Sequence, residues 1–215
     1  MSFPLHATSQ NALVLRIAIS SESFQKIEVL TKESGYTLCL KRISKKNPLQ
    51  GKPDLFDTAS IQMEISRNGT ASFVKEYQLL QRRSSIGRSY RKLNHASEFC
   101  ALIAQNAPHM AEHTLLYKIT ERTLDAFAEK EIPEIVSLKA LYLLLKDEGY
   151  PVRESWWPQL PIHLRESARQ LINNPLPESI SEEQIKICTE INRNIRNWLS
   201  HETDLVLPTE VGMKV

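Results

Sequence analysis

One change of rhythm divides this chain. Up to about Tyr77 the apolar residues tend to recur at every second position, and from Gln78 onward they recur at every third or fourth. A period of two puts successive side chains on opposite faces of a strand, whereas a period near 3.6 draws a single stripe down a helix. No single type of element satisfies both halves. The expected fold is therefore α+β with two domains: a small β-domain at 1–80, an α-helical domain at 81–207 and a short flexible tail at 208–215.

Ala12 to Ala18 and Phe24 to Thr31 are short segments rich in branched residues, separated by a serine-rich turn. Glu33-Ser34-Gly35 supplies the next turn. In the run that follows, Tyr36, Leu38 and Leu40 share one face and Cys39, Lys41 and Ile43 the other. Ile61, Met63 and Ile65 alternate with polar neighbours, as in a half-buried strand. Asn68-Gly69 is a strong hairpin signal, with Thr70 to Tyr77 as the return strand. Five short strands joined by tight turns suit a small closed barrel of either the OB or the SH3-like kind. The long 44–58 connection favours the OB layout, which carries its longest link between the third and fourth strands.

In the second half, Leu93, Ala96, Cys100 and Ile103 form one helical stripe, interrupted at Asn106-Ala107-Pro108. Leu115, Leu116, Ile119, Thr123, Ala126 and Phe127 form another. Pro133 suits the first position of a third helix, which Gly149 and Pro151 end. Gln159 to Ile172 reads as a shorter helix, and Ser181 with Gln184 makes a capping box ahead of the last one. Short links between these helices predict a compact bundle.

The formal net charge of +2 conceals a split, since residues 1–92 carry net +8 and residues 93–215 net −6. An asymmetry of this size points to a polyanionic partner for the basic half. The densest cluster is Lys41 to Lys52, with Lys41, Arg42, Lys45, Lys46 and Lys52 and no acid. Arg16, Lys75, Arg82, Arg83, Arg88, Arg91 and Lys92 extend the set of candidate phosphate contacts, because cations that neutralise phosphates supply much of nucleic-acid affinity. Tyr36, Phe73 and Tyr77 are candidate platforms for stacked bases. Cys39, Cys100 and Cys188 form no C-x-x-C pair and are expected to be buried free thiols of a reducing compartment. No secretory signal opens the sequence and no apolar run reaches the roughly 20 residues a membrane span needs, so a soluble cytoplasmic protein is expected.

No P-loop, G-x-G-x-x-G or G-x-S-x-G is present, and 6 glycines are few for building such loops. His109-Met110-Ala111-Glu112-His113 fits H-x-x-E-H, whose histidines would share one helix face and could hold a metal for hydrolysis. The same residues also serve as an ordinary polar first turn of a helix. Trp156 and Trp157 follow a helix terminator, and adjacent tryptophans do not readily enter one core together. They are candidates for lining a partner groove. A protein-interaction adaptor without nucleic-acid binding is a further alternative.

Over about residues 10–157 the sequence resembles the RecO family of bacterial recombination mediators. The likeness lies in Ala12-Leu13-Val14-Leu15-Arg16, Glu22-Ser23, Leu30 to Gly35 with the basic run after it, and Asp54-Leu55-Phe56-Asp57. It continues in Ala96 to Leu102, His113 to Phe127, and Leu138 to Leu144 with Gly149-Tyr150. The resemblance implies an OB-fold joined to a helical domain, no cofactor, and a non-enzymatic role in recombinational DNA repair as a nucleoid-associated protein. It implies binding to single- and double-stranded DNA, annealing of complementary strands, and contacts with RecR and with the acidic tail of single-strand-binding protein. The DNA-binding role passes to Lys41, Arg42, Lys45, Lys46 and Lys52. Many family members hold a four-cysteine zinc site after the Gly-Tyr segment. Here Arg153-Glu154-Ser155-Trp156-Trp157 contains no cysteine, which implies a shortened helical domain without metal.

Overall fold

The structure is a computed structural model that describes residues 8–19, 23–43, 51–65 and 71–208. Lys45, Lys46, the Asn68-Gly69 turn and the tail from 209 lie outside the described residues. The chain forms two compact units, Met1–Arg83 with Ala107–Lys118, and Ser84–Asn106 with Ile119–Val215.

The first unit is built on five strands: β1 (Thr8–Ile19), β2 (Phe24–Thr31), β3 (Gly35–Arg42), β4 (Thr58–Ile65) and β5 (Ser72–Gln81). They close in the order β1-β2-β3-β5-β4, with β4 returning to β1. Every pairing is antiparallel except β3 with β5, which is parallel. This is the OB-type barrel that the long third connection favours. Its interior holds Ala12, Val14, Ile27, Val29, Cys39, Ala59 and Ile61, all fully buried. The closing pair places Ala12 opposite Ala59. Burial pushes the Cys39 thiol up to about 12.

β5 continues four residues past Tyr77, where the alternation stops. Gln78, Leu79 and Gln81 pair through the backbone with Ser60, Ala59 and Thr58, and a register shift between Thr58 and Ala59 breaks the regular pairing. Ladder bonds to β4 therefore override the side-chain pattern, and Leu79 and Leu80 are both exposed.

Segment 107–118 joins the same unit through named contacts. Thr114 Oγ1 donates to the Lys32 carbonyl (3.3 Å), and the Lys32 ammonium lies 4.9 Å from the centre of the Tyr117 ring. The His113 ring occupies the space beside Gly35, so that a Cβ there would stand 2.7 Å from it. Gly35 also has φ +66°, so both sterics and backbone call for glycine.

The helices are α1 (Tyr90–Asn106), α2 (His113–Glu129), α3 (Pro133–Asp147), the single turn α4 (Trp157–Gln159), α5 (Ile162–Asn173) and α6 (Glu182–Glu202). A π-helical turn, Val152–Trp156, precedes α4. In the second unit α3 is the central element. Ile135, Leu138, Leu141 and Leu145 are buried as its apolar stripe requires, and Val136, Ser137 and Ala140 on its other sides are buried as well. α3 packs against α1, α5 and α6. The capping box at Ser181 forms, with the Ser181 hydroxyl accepting from the Gln184 N–H and the Gln184 side chain accepting from the Ser181 N–H. Cys100 and Cys188 are buried and free, like Cys39. No helix among the described residues is long and apolar enough to cross a membrane.

Candidate nucleic-acid interface

Alternation on β2 and β3 decides what the outside of the barrel presents. Ile27, Val29 and Cys39 face inward, so Phe24, Lys26 and Glu28 on β2 and Tyr36, Leu38, Leu40 and Arg42 on β3 face outward. Phe24 lies opposite Arg42, Lys26 opposite Leu40, and Glu28 opposite Leu38. β1 adds Arg16 opposite Glu28 and Ala18 opposite Lys26. β5 adds Phe73 opposite Leu40, with Lys75 two residues on. Phe24 and Phe73 meet across this face with ring centres 6.1 Å apart and planes tilted by 60°, an arrangement favoured by aromatic quadrupoles. The result is an outward surface of two phenyl rings, a phenol and two leucines, bordered by Arg16, Lys26, Arg42 and Lys75.

The cations on this surface are held loosely or left open to solvent. Arg16 Nη1 and Lys26 Nζ each stand 3.6 Å from a different oxygen of Glu28, beyond hydrogen-bond distance, and both side chains are about half exposed. Burial and the neighbouring Glu28 carboxylate, to which its hydroxyl is bonded, push the Tyr36 phenol up to about 12. Lys75 pairs with Glu64 at 2.5 Å, both partners being well exposed. Arg42 is exposed.

The other cations of the basic half are placed differently. Lys41 has the inward parity of Cys39 and is half-buried, and burial lowers its pKa. Lys52 is exposed. Arg82 clasps the fully buried carboxylate of Asp57, with Nε to Oδ1 at 3.0 Å and Nη2 to Oδ2 at 2.8 Å, and also donates to the Lys52 carbonyl. Asp57 accepts further from the Tyr77 hydroxyl (2.8 Å) and the Asp54 N–H (2.9 Å). Tyr77 is thereby a barrel-core residue, its phenol pKa raised by burial and by Asp57, and not a platform. Arg83 is buried and donates to the Phe56 carbonyl and Thr58 Oγ1. Those bonds fix Phe56, which has φ +67°. In the second unit, Arg91 grips Glu134 with both Nε and Nη2, Lys92 is buried with its ammonium 2.5 Å from Glu131, and Arg88 is exposed. Among the described candidates, then, Arg16, Arg42, Lys52 and Lys75 stand open in the barrel unit, and the Arg82-Arg83 pair holds the barrel together.

Trp156 is fully buried, its indole N–H donated to Asn194 Oδ1 (2.8 Å). Only Trp157, half-buried and edge-on to Trp156, keeps a face toward solvent. The expectation that His109 and His113 share a helix face is corrected. Ala107–His109 is a 3-10 turn, α2 begins at His113, and a bend lies between them. Among the described residues no group of three or more His, Cys, Asp or Glu side chains is placed to hold a metal ion.

Sequence reasoning passed over Phe24, Lys26 and Glu28. The signal was present, because in Phe24-Gln25-Lys26-Ile27-Glu28-Val29 the branched residues at 27 and 29 mark the inner face and assign the other parity to the surface. Compared with known proteins, the chain matches no family model and no curated protein.

Proposed function

We propose that this protein is a non-enzymatic, RecO-like DNA-binding protein that takes up single strands on the outer face of β2 and β3 and brings complementary strands together in recombinational repair. The observation that carries the reading is the coincidence of Phe24, Phe73 and Tyr36 with Arg16, Lys26, Arg42 and Lys75 on one side of an OB-type barrel. Rings give every base a surface to stack on, and the surrounding cations take the phosphates. Annealing follows from the same electrostatics, since cations that screen two backbones remove the repulsion opposing their pairing. RecR and the acidic tail of single-strand-binding protein are the protein partners that accompany this reading, with a cytoplasmic, nucleoid-associated location.

The test is a titration of labelled single-stranded oligonucleotide at several salt concentrations, with an annealing assay on complementary strands. If the face neutralises about four phosphates, log K falls against log salt with a slope near −3. The double variant Lys26→Glu, Arg42→Glu is expected to lose at least about tenfold in affinity at low salt, with an unchanged melting temperature. Wild-type protein that takes up no strand at low salt, or a double variant that binds as well as wild type, overturns the reading.

A further inference from the structure

Glu28 is out of place on a surface that binds nothing but phosphate. It sits in the middle of the outward face, between Arg16 on β1 and Leu38 on β3, and its side chain is 13 % exposed. A carboxylate there repels a backbone, and its two oxygens accept hydrogen bonds without donating any. We infer that Glu28 reads the donor edge of an unpaired base, so that the face selects guanine over thymine within a single strand. This rests on the proposed DNA-binding function and deepens it.

Three features support the assignment. On the proposed function bases, not phosphates, would lie over the rings of Phe24, Phe73 and Tyr36, and Glu28 shares their face. Its oxygens keep acceptor capacity, because Arg16 and Lys26 stand 3.6 Å away and, among the described residues, the Tyr36 hydroxyl is the group bonded to it. The two cations that cover it are also the ones a strand's phosphates attract. When Arg16 and Lys26 turn to phosphate, the carboxylate is uncovered and loses its counter-charges together. Base N–H groups then replace them. Guanine offers two parallel donors, N1–H and the N2 amino group, matching the two oxygens of a carboxylate, whereas thymine offers N3–H alone. In a duplex these donors are already paired, so the same residue disfavours double strands.

The experiment uses the full chain and fluorescence anisotropy with three labelled single strands. One is oligothymidylate, one has isolated guanines replacing some thymines, and one has inosine at those positions, which lacks the N2 amino group. A bidentate base contact discriminates by about tenfold or more, so the guanine strand is expected to bind at least about tenfold tighter than oligothymidylate, with inosine losing most of that gain. Glu28→Gln is expected to lose the preference for guanine over thymine. Equal wild-type affinity for the thymine and guanine strands overturns the inference and leaves the DNA-binding reading standing; this comparison needs no variant to fold. A preference that persists in Glu28→Gln moves the recognition elsewhere and also overturns it. If wild type takes up none of the three strands, the proposed function itself fails.

Discussion

Two sets of cations in this chain have the same chemistry and opposite surroundings. On the outer barrel face Arg16 and Lys26 share one carboxylate at 3.6 Å, and both remain about half exposed. In the stretch from 82 to 92, Arg82 and Arg91 have partners that are close and enclosed. Arg82 forms two bonds to an Asp57 side chain with no exposed surface, and Arg91 forms three to a Glu134 side chain that is 7 % exposed. What separates the sets is direct bonding to an enclosed acid: Asp57 and Glu134 are hydrogen-bonded by their arginines, whereas Glu28, 13 % exposed, is met by its cations only at 3.6 Å. An enclosed carboxylate that loses its cation becomes an uncompensated buried charge, so its cation is bound to the fold. An exposed cation that is not hydrogen-bonded to its acid, or whose acid is open to solvent, can exchange that acid for a phosphate with little change in stability.

The largest test of this division is Arg82→Ala. Asp57 would keep the Tyr77 hydroxyl and the Asp54 N–H but lose the guanidinium, and the expected loss is about 3 kcal/mol of unfolding free energy, measured by urea titration. The Lys26→Glu, Arg42→Glu double variant is expected to leave the same titration unchanged. If Arg82→Ala proved as stable as wild type while binding DNA poorly, the two sets would have to be merged.

A pH titration sharpens the comparison next. Glu134 is buried, which by itself would raise its pKa, but bonding to His95 and to Arg91, together with the Arg91 charge, holds it down at about 2. A folded-state pKa below the ordinary value near 4.5 means that the unfolded chain binds the proton first as pH falls. The stabilisation is complete above about pH 4.5 and is lost on descending toward pH 2, a change on the order of 2–3 kcal/mol. The measurement is the difference in urea midpoint between wild type and Glu134→Gln at pH 6 and at pH 3. Wild type should lose more on acidification, and parallel behaviour would remove Glu134 from the set of structural pairs.

How far this division was readable from sequence varies by residue. The barrel was legible because Tyr36, Leu38 and Leu40 alternate with Cys39 and Lys41, and Ile61 and Met63 with polar neighbours, and the helical half because of stripes such as Ala96, Cys100 and Ile103. Charge, by contrast, carries no period. Arg42 and Arg82 look alike in a basic stretch, and only folding brings Asp57 to Arg82 across 25 positions. Phe24 and Phe73 meet across β3, which pairs with both β2 and β5, so their meeting depends on a long-range strand order that local sequence does not state. The parity of β2 did announce Lys26 and Glu28. The enclosure of Trp156 did not appear in the sequence, because it depends on Asn194 from α6 accepting its indole N–H.

Lys75 gives the smallest effect and the finest discrimination, for it combines a feature of each set. Its 2.5 Å contact with Glu64 is as short as that of the enclosed pairs, while both side chains are exposed, at 53 % and 40 %. If burial of the acid is what matters, solvent screens the pair and Lys75→Ala changes stability by less than about 0.5 kcal/mol. The same substitution removes one cation from beside Phe73, so DNA affinity should fall about two- to threefold at low salt and the salt slope should flatten by about 0.7. A urea titration and a salt-dependent binding titration of the one variant read both quantities. A stability loss above about 1 kcal/mol with unchanged binding would mean that contact distance, and not enclosure of the carboxylate, decides which cations belong to the fold, and Arg16 and Lys26 would then be the only β1–β2 cations left to meet a strand.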